Sequence, residues 1–232
     1  MVLTLNETKE TYKEFYGRNF EQMPQLIVEG RVPMNVSQLM QRRIDVRNDS
    51  NDLKSSWMDN YFDTGDAVVY HPDGRVKIVL DSQYLRNMTP KSGRNGGALV
   101  LIEDVYKSLQ GEEFKKGKFV KVNDPSLSIE DVKAHPVWKV LARDQGLLND
   151  YADYIFAEGK ERFGYNTAMG VYLDSIGNNL KLRAWFVGRF GSRSNAGGRD
   201  GLDDDDGRFV GIAPEVQSTL SKINNLERSV IS

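Results

Sequence analysis

Ala67-Val-Val-Tyr-His-Pro-Asp-Gly-Arg-Val-Lys-Ile-Val-Leu80 is the stretch on which the fold class turns. Two β-branched runs flank Pro72-Asp73-Gly74, and Asp-Gly supplies the positive-φ positions that a tight turn needs, so the segment reads as a β-hairpin. Alternation sets Val76, Ile78 and Leu80 on one face and Arg75, Lys77 and Val79 on the other, which predicts one buried side.

N-terminal to the hairpin, Thr4 and Glu7 stand at capping-box spacing. Thr8, Tyr12, Phe15 and Tyr16 then recur on one helical face up to Gly17, which predicts a short helix. Pro24 to Pro33 reads as a brief β-rich run. Asn35 or Ser37 caps a helix that turns Val36, Leu39, Met40 and Ile44 inward and Arg42, Arg43 and Arg47 outward. The polar stretch Asn48 to Ser56 reads as a loop.

C-terminal to the hairpin, Gly93 to Gly97 leads into a strand starting at Ala98 and a helix from Glu103 to Leu109. Ser128 caps Ile129-Glu-Asp-Val-Lys, Pro136 opens a second helix, and a third spans about Gln145 to Phe163, ended by Gly164. Val171–Leu173, Leu180–Val187 and Phe209–Ile212 read as strands, and Pro214 opens a last helix with Val216, Leu220 and Ile223. Without a regular βαβ alternation, the fold class is α+β: a mixed, mainly antiparallel sheet with a helical middle segment.

The chain has 232 residues, 39% of them hydrophobic, which is apolar material enough for a core. Residues 1–122 carry a net +1 and residues 123–232 a net -3, so the halves are electrostatically alike. We read residues 1–232 as a single compact α+β domain with a weak subdivision near residue 123. The absence of cysteine excludes disulfides, thiolate zinc, iron–sulfur ligation and a cysteine nucleophile. Two histidines, His71 and His135, are too few for a multi-histidine metal site. Both have structural readings, one beside the hairpin turn and one at a helix start. Charged residues arrive by Glu7 with no apolar run behind a basic start, so no secretory signal and no membrane association are expected. A cysteine-free composition fits a reducing compartment, and a cytoplasmic location follows as the expectation.

The segment of greatest chemical interest is Leu182 to Pro214, LRAWFVGRFGSRSNAGGRDGLDDDDGRFVGIAP. Arg189, Arg193, Arg199 and Arg208 are candidates for a phosphorylated ligand, because guanidinium groups bind phosphate bidentately and the interspersed glycines allow close backbone approach. Asp203, Asp204 and Asp206, with Asp200 nearby, offer the hard oxygen ligands that Mg²⁺ or Ca²⁺ prefers. The spacing fits neither an EF-hand nor a P-loop, and no Gly-x-Ser-x-Gly occurs. The same composition also describes an exposed loop whose Arg–Asp pairs neutralise one another. Asp150 and Asp153 share a helical face, which a charged outer surface explains. RNA binding would rest on three patches: Arg42, Arg43 and Arg47; Lys115, Lys116, Lys118 and Lys121 around Phe114 and Phe119; and the arginine loop near Trp185 and Phe186.

Tyr61-Phe-Asp-Thr-Gly-Asp66 with Asp73-Gly-Arg-Val-Lys-Ile-Val79 resembles the Thr-Gly-Asp and hairpin segment of adenylate-forming enzymes over less than a tenth of the chain. Their Ser/Thr/Gly-rich phosphate loop is missing here, and the hairpin is read as independent of them. Glu29-Gly-Arg-Val-Pro-Met34, Ala134-His-Pro-Val-Trp-Lys-Val-Leu-Ala-Arg143 and Arg193-Ser-Asn-Ala-Gly-Gly-Arg199 are similar to segments of uncharacterised archaeal hypothetical proteins. That resemblance implies a cytoplasmic protein and assigns no site. Three functions therefore stand: a noncatalytic interaction or structural protein with a protein partner or as a homo-oligomer, a metal-dependent binder or enzyme acting on a phosphorylated ligand, and RNA binding.

Overall fold

The computed structural model describes residues 3, 5, 11–115 and 126–214. In chain order, strand β1 (Tyr12–Tyr16), helix α1 (Asn19–Val28), β2 (Val32–Pro33), α2 (Val36–Asp45) and α3 (Asn51–Met58) lead to the hairpin β3 (Phe62–Tyr70) and β4 (Arg75–Val79). Next come α4 (Gln83–Arg86), β5 (Arg94–Asn95), β6 (Ala98–Val100), α5 (Glu103–Ser108), β7 (Glu112–Lys115) and β8 (Ser126–Leu127). The helical middle is α6 (Ile129–Ala134), α7 (Pro136–Ala142) and α8 (Gln145–Phe163). Strands β9 (Ala168–Met169), β10 (Val171–Leu173), β11 (Lys181–Val187), β12 (Ala196–Gly198) and β13 (Arg208–Ile212) complete the described chain.

The α+β expectation holds. The main sheet runs β1-β13-β3-β11-β12-β10, and β4, β6 and β2 attach to β3, β11 and β13. Its ladders are antiparallel apart from β13 on β3 and β10 on β12. All nine residues of β3 are buried, because helices cover both faces of the sheet. Val68 and Tyr70 join Leu39, Trp57, Trp138, Tyr151 and Ile155 on the side of α2, α3 and α6 to α8. Ala67 and Val69 join Phe20, Met23, Leu26, Leu85 and Tyr106 on the side of α1, α4 and α5.

That double cover corrects the hairpin's expected single buried side. Val76 and Ile78 enter one core and Val79 the other. Lys77 is 8% exposed, and its ammonium donates to the carbonyls of Tyr106 at 3.0 Å and Leu109 at 3.2 Å. Leu80, placed inward by alternation, sits past the strand end and is exposed.

Three N-terminal readings are corrected as well. Tyr12 to Tyr16 is a strand, paired residue by residue with β13 from Tyr12↔Ile212 to Tyr16↔Arg208. Its aromatic spacing suited two periods, and the distant partner decided between them. The cap expected at Thr4 and Glu7 lies outside the described residues. Pro24 lies inside α1, where it removes one backbone donor, and burial of Phe20, Met23 and Leu26 offsets that loss. The polar stretch expected as a loop carries α3, whose cap Ser50 accepts from the Leu53 amide and whose Leu53 and Trp57 are buried. Asn35 does cap α2, in a reciprocal capping box with Gln38. The helix expected after Pro214 falls outside the described residues.

Arg43 was expected on an outer face and is fully buried. Its guanidinium donates to the carbonyls of Trp57, Asn60 and Gly188 and to the Tyr151 hydroxyl, all between 2.9 and 3.2 Å. The charge is tolerated because four oxygens satisfy it.

Candidate functional site

The Thr64-Gly-Asp66 segment is where β3 leaves regular pairing with β11. Ala67 faces Ala184, yet Asp63 faces Phe186, so four steps along β3 match two along β11. A bulge of this kind re-aims the side chains beyond it. Thr64 Oγ1 donates to the Trp185 carbonyl at 2.8 Å. Asp66 accepts from the amides of Val36 and Asp81 and pairs with Arg143 at 2.7 Å, which secures the bulge from behind. Below it, Asp63 sits between β11 and the first residues of β13, with Phe186 and Phe209 as its ladder neighbours.

At this end of the sheet opens a cleft of about 270 Å³. Tyr61, just ahead of β3, lines it with Asp63 and Phe186 from the strands, and Gly188, Arg189, Ser192, Asp200, Gly201, Asp204, Asp206 and Gly207 line it from the segment that joins β11 to β13. That segment is only in part the exposed loop its composition suggests. Asp203 to Asp206 are exposed, but Ser194 and Ala196 to Gly198 are buried, and β12 is a strand between β10 and β11. Backbone bonds hold it: Gly188 N to Asn195 O at 2.8 Å, Leu202 N to Gly97 O at 2.7 Å, and Gly17 N to Gly207 O at 2.8 Å. Gly197 is required where it stands, because a Cβ there would collide with the Phe186 ring.

The electrostatics of the cleft are acidic. Asp63 is 5% exposed, accepts from the Arg208 amide at 2.7 Å and takes a hydrogen bond from the Asn19 side chain. Burial pushes its carboxyl up to about 7, and Asp200 and Asp206 add to the push. Asp200 is raised as well, first by burial; Arg199 pulls it back, and Asp204 and Asp206 repel its charge. Burial also raises the Tyr61 hydroxyl, which donates to the Asp206 carbonyl. Asn19 is 2% exposed and its Oδ1 has no hydrogen-bond partner among the described residues. A side chain at Gly207, on the cleft wall, would collide with that oxygen.

The arginines named from the sequence do not gather at one place. Arg189 lines the cleft. Arg193 donates to Thr167 Oγ1 at 2.9 Å and lies over the Tyr165 ring, while Arg199 lies over Tyr172. Arg208 donates to Asn60 Oδ1 at 2.6 Å, pairs with Glu14 at 2.8 Å and stacks on Tyr16 and Tyr61. Asp204 and Asp206 line the cleft, whereas Asp203, with Arg199, Arg183 and Gly97, lines a wider concavity of about 590 Å³ that shares Asp200, Gly201 and Asp204 with it. Among the described residues no three His, Asp or Glu side chains converge as metal ligands. Of the three basic patches, Arg43 is buried, Trp185 is buried, and Lys116, Lys118, Lys121 and Phe119 lie outside the described residues. His135 caps α7 through the Val137 amide, and His71 pairs with Asp73 and Glu103 at the hairpin.

Tyr61, Asp63 and Asn19 were not singled out as site residues from the sequence, whereas Phe186 was named with the arginine loop as part of a basic patch. The signal for Asp63 was present: a carboxylate inside the run Phe62 to Tyr70, where a doubly covered strand leaves it no water.

Across 89% of this chain and 100% of the other, the structure superposes with a TM-score of 0.65 and 17% identity on a solved structure described as "Accommodation of massive sequence variation in Nanoarchaeota by the C-type lectin fold". The fold is C-type-lectin-like. No protein-family model and no curated protein matches the chain. The Nanoarchaeota neighbour is archaeal. No helix among the described residues is long and apolar enough to cross a membrane.

Proposed function

We propose that this chain is a noncatalytic recognition protein and that the cleft between Tyr61, Asp63, Phe186 and residues 188–207 is its binding site. The observation that carries this is the way the site is built. A pocket of about 270 Å³ is walled in part by Asp204 and Asp206 of an exposed run whose backbone is fixed on both sides by strand β12 and by the Gly17–Gly207 bond. The Asp204 carboxylate also takes part in that wall, accepting from the Gly201 amide at 2.8 Å, while its other oxygen and the Asp206 carboxylate are left for a ligand. The C-type lectin fold of the Nanoarchaeota protein is described as accommodating massive sequence variation, and a scaffold whose core is independent of its rim is the physical requirement for that.

The test is a fragment screen by amide chemical shifts on the isotope-labelled chain, using cationic, anionic, neutral aromatic and sugar fragments. Hits should cluster on the amides of Gly188, Ser192, Gly201 and Gly207. Binding that maps elsewhere overturns this assignment of the site.

A further inference from the structure

We propose that Asp63 and Asn19 form a proton-linked latch beneath the cleft rim: neutral Asp63 gives its O–H to Asn19 Oδ1 and holds the rim, whereas ionised Asp63 draws the Asn19 NH₂ instead and loosens it. The latch adds a regulation to the cleft read above as a recognition site, and it rests on that reading for its effect on a ligand.

The side chains of this pair are shut away from water, Asp63 being 5% and Asn19 2% exposed. Asp63 Oδ2 accepts from the Arg208 amide at 2.7 Å, and the Asn19 side chain donates to the same carboxyl. Asn19 Oδ1 is then left without a donor. A Cβ at Gly207 would collide with that oxygen and with the Gly17 carbonyl oxygen alike, so two acceptors flank one point. This is the arrangement that an ionised carboxylate imposes, because it only accepts and the amide must turn its donors towards it. One proton on Asp63 reverses the count. The carboxyl keeps the Arg208 bond on Oδ2 and becomes a donor on Oδ1, for which Asn19 Oδ1 is the acceptor. The amide, turned by half a rotation, aims its NH₂ towards the Gly17 carbonyl, and no acceptor is stranded. On ionisation the proton leaves to bulk water through the cleft, which Asp63 lines.

The groups that face Asp63 set when this happens. From the segment ahead of β13, Asp200 and Asp206 oppose its ionisation, with Asp204 and the cation Arg189 also lining the cleft. Tyr61, ahead of β3, contributes a hydroxyl that burial keeps protonated. Strand β13 offers the Arg208 amide, its guanidinium being held by Glu14 and Asn60, and β11 offers the Phe186 ring. With burial pushing the carboxyl up to about 7, both forms are populated near neutrality. The link to the rim is short. Asn19 opens α1 two residues after Gly17, whose amide donates to the Gly207 carbonyl at 2.8 Å. Ionisation therefore strands an acceptor under Gly207 and repels its neighbour Asp206 in one step.

The experiment follows the ¹³C- and ¹⁵N-labelled full chain by NMR from about pH 5 to pH 9. The Asp63 Cγ and the Asn19 side-chain NH₂ should shift together, with one midpoint near 7. Hydrogen exchange of the Gly17 amide, corrected for its intrinsic pH dependence, should lose about fivefold or more of its protection across that midpoint. In Asp63→Asn the Asn19 signals should stay still, and the Gly17 protection should remain that of the natural chain at the acid end. An Asn19 NH₂ that stays still while Asp63 titrates overturns the latch, as does an Asp63 Cγ that does not titrate in this range or a Gly17 protection that does not change. The readings on the natural chain decide the matter even where the variant fails to fold. Fragments that map away from the cleft would remove the recognition reading and leave these signals in place, so the two fail separately.

Discussion

Replacing Asp63 by Asn should make the protein less sensitive to rising pH. The carboxyl titrates at about 7 in the folded chain against an ordinary 3.8, so the folded state holds this proton more tightly than the unfolded state does. For such a group the unfolded chain binds fewer protons throughout the window from 3.8 to about 7, and stability therefore falls as pH rises through it. The whole window corresponds to roughly 4 kcal/mol, more than half of it between about pH 5 and pH 8. Asn is nearly isosteric. Its carbonyl can keep the bond from the Arg208 amide, and a flip of the Asn19 amide, whose NH₂ faces Asp63 in the natural chain, lets the new NH₂ donate to Asn19 Oδ1. Urea denaturation of both proteins at the two pH values gives the double difference, in which groups that titrate alike in both proteins cancel. The variant should gain about 2–3 kcal/mol on the natural sequence between the two pH values. A difference constant to within about 0.5 kcal/mol would show that Asp63 ionises freely in the fold and would refute the argument from burial.

Three further outcomes follow from single contacts. Arg43→Met strands the carbonyls of Trp57, Asn60 and Gly188, and should cost about 3 kcal/mol or more in chemical denaturation. Gly197→Ala drives a methyl into the Phe186 ring and should lower stability by about 1–3 kcal/mol, seen as several degrees in Tm, while altering the amide shifts of Gly188 and Gly201 through the displaced ring. Asn35→Ala removes the capping box of α2 and the bond to Asp81, and should cost about 1 kcal/mol; a loss below a few tenths would mean that packing of Leu39 and Met40 alone fixes the helix start.

Local rules made the hairpin and the helical middle legible. Asp73-Gly74 fixes its own turn, and Ser128, Pro136 and Gly164 mark ends that need no distant partner. Where a segment's state depended on residues far away, the sequence misled. Tyr12 to Tyr16 became a strand because β13 lies beside it, and Arg43 went inside because Tyr151 and Gly188 meet it there. The candidate site was half legible for the same reason. Asp204, Asp206 and Arg189 stood out by composition, but Tyr61 and Asp63 reach the cleft only through sheet register and the bulge at Thr64 to Asp66. The four arginines looked like one group along the chain, and folding separates them because Thr167 takes Arg193, Tyr172 takes Arg199, and Glu14 and Asn60 together take Arg208, which leaves Arg189 at the cleft.

Strand β13 bonds to β1, β2 and β3, three strands that precede it by well over a hundred residues. Contacts of such separation in sequence form slowly, since a long loop must close before any of them contributes. A chain still being synthesised and lacking residues after 207 has neither the ladder partner of β1 nor the amide of Arg208 from which Asp63 accepts. Strand β1 and the floor of the cleft thus depend on the same five residues, Arg208–Ile212, for the bonds that complete them.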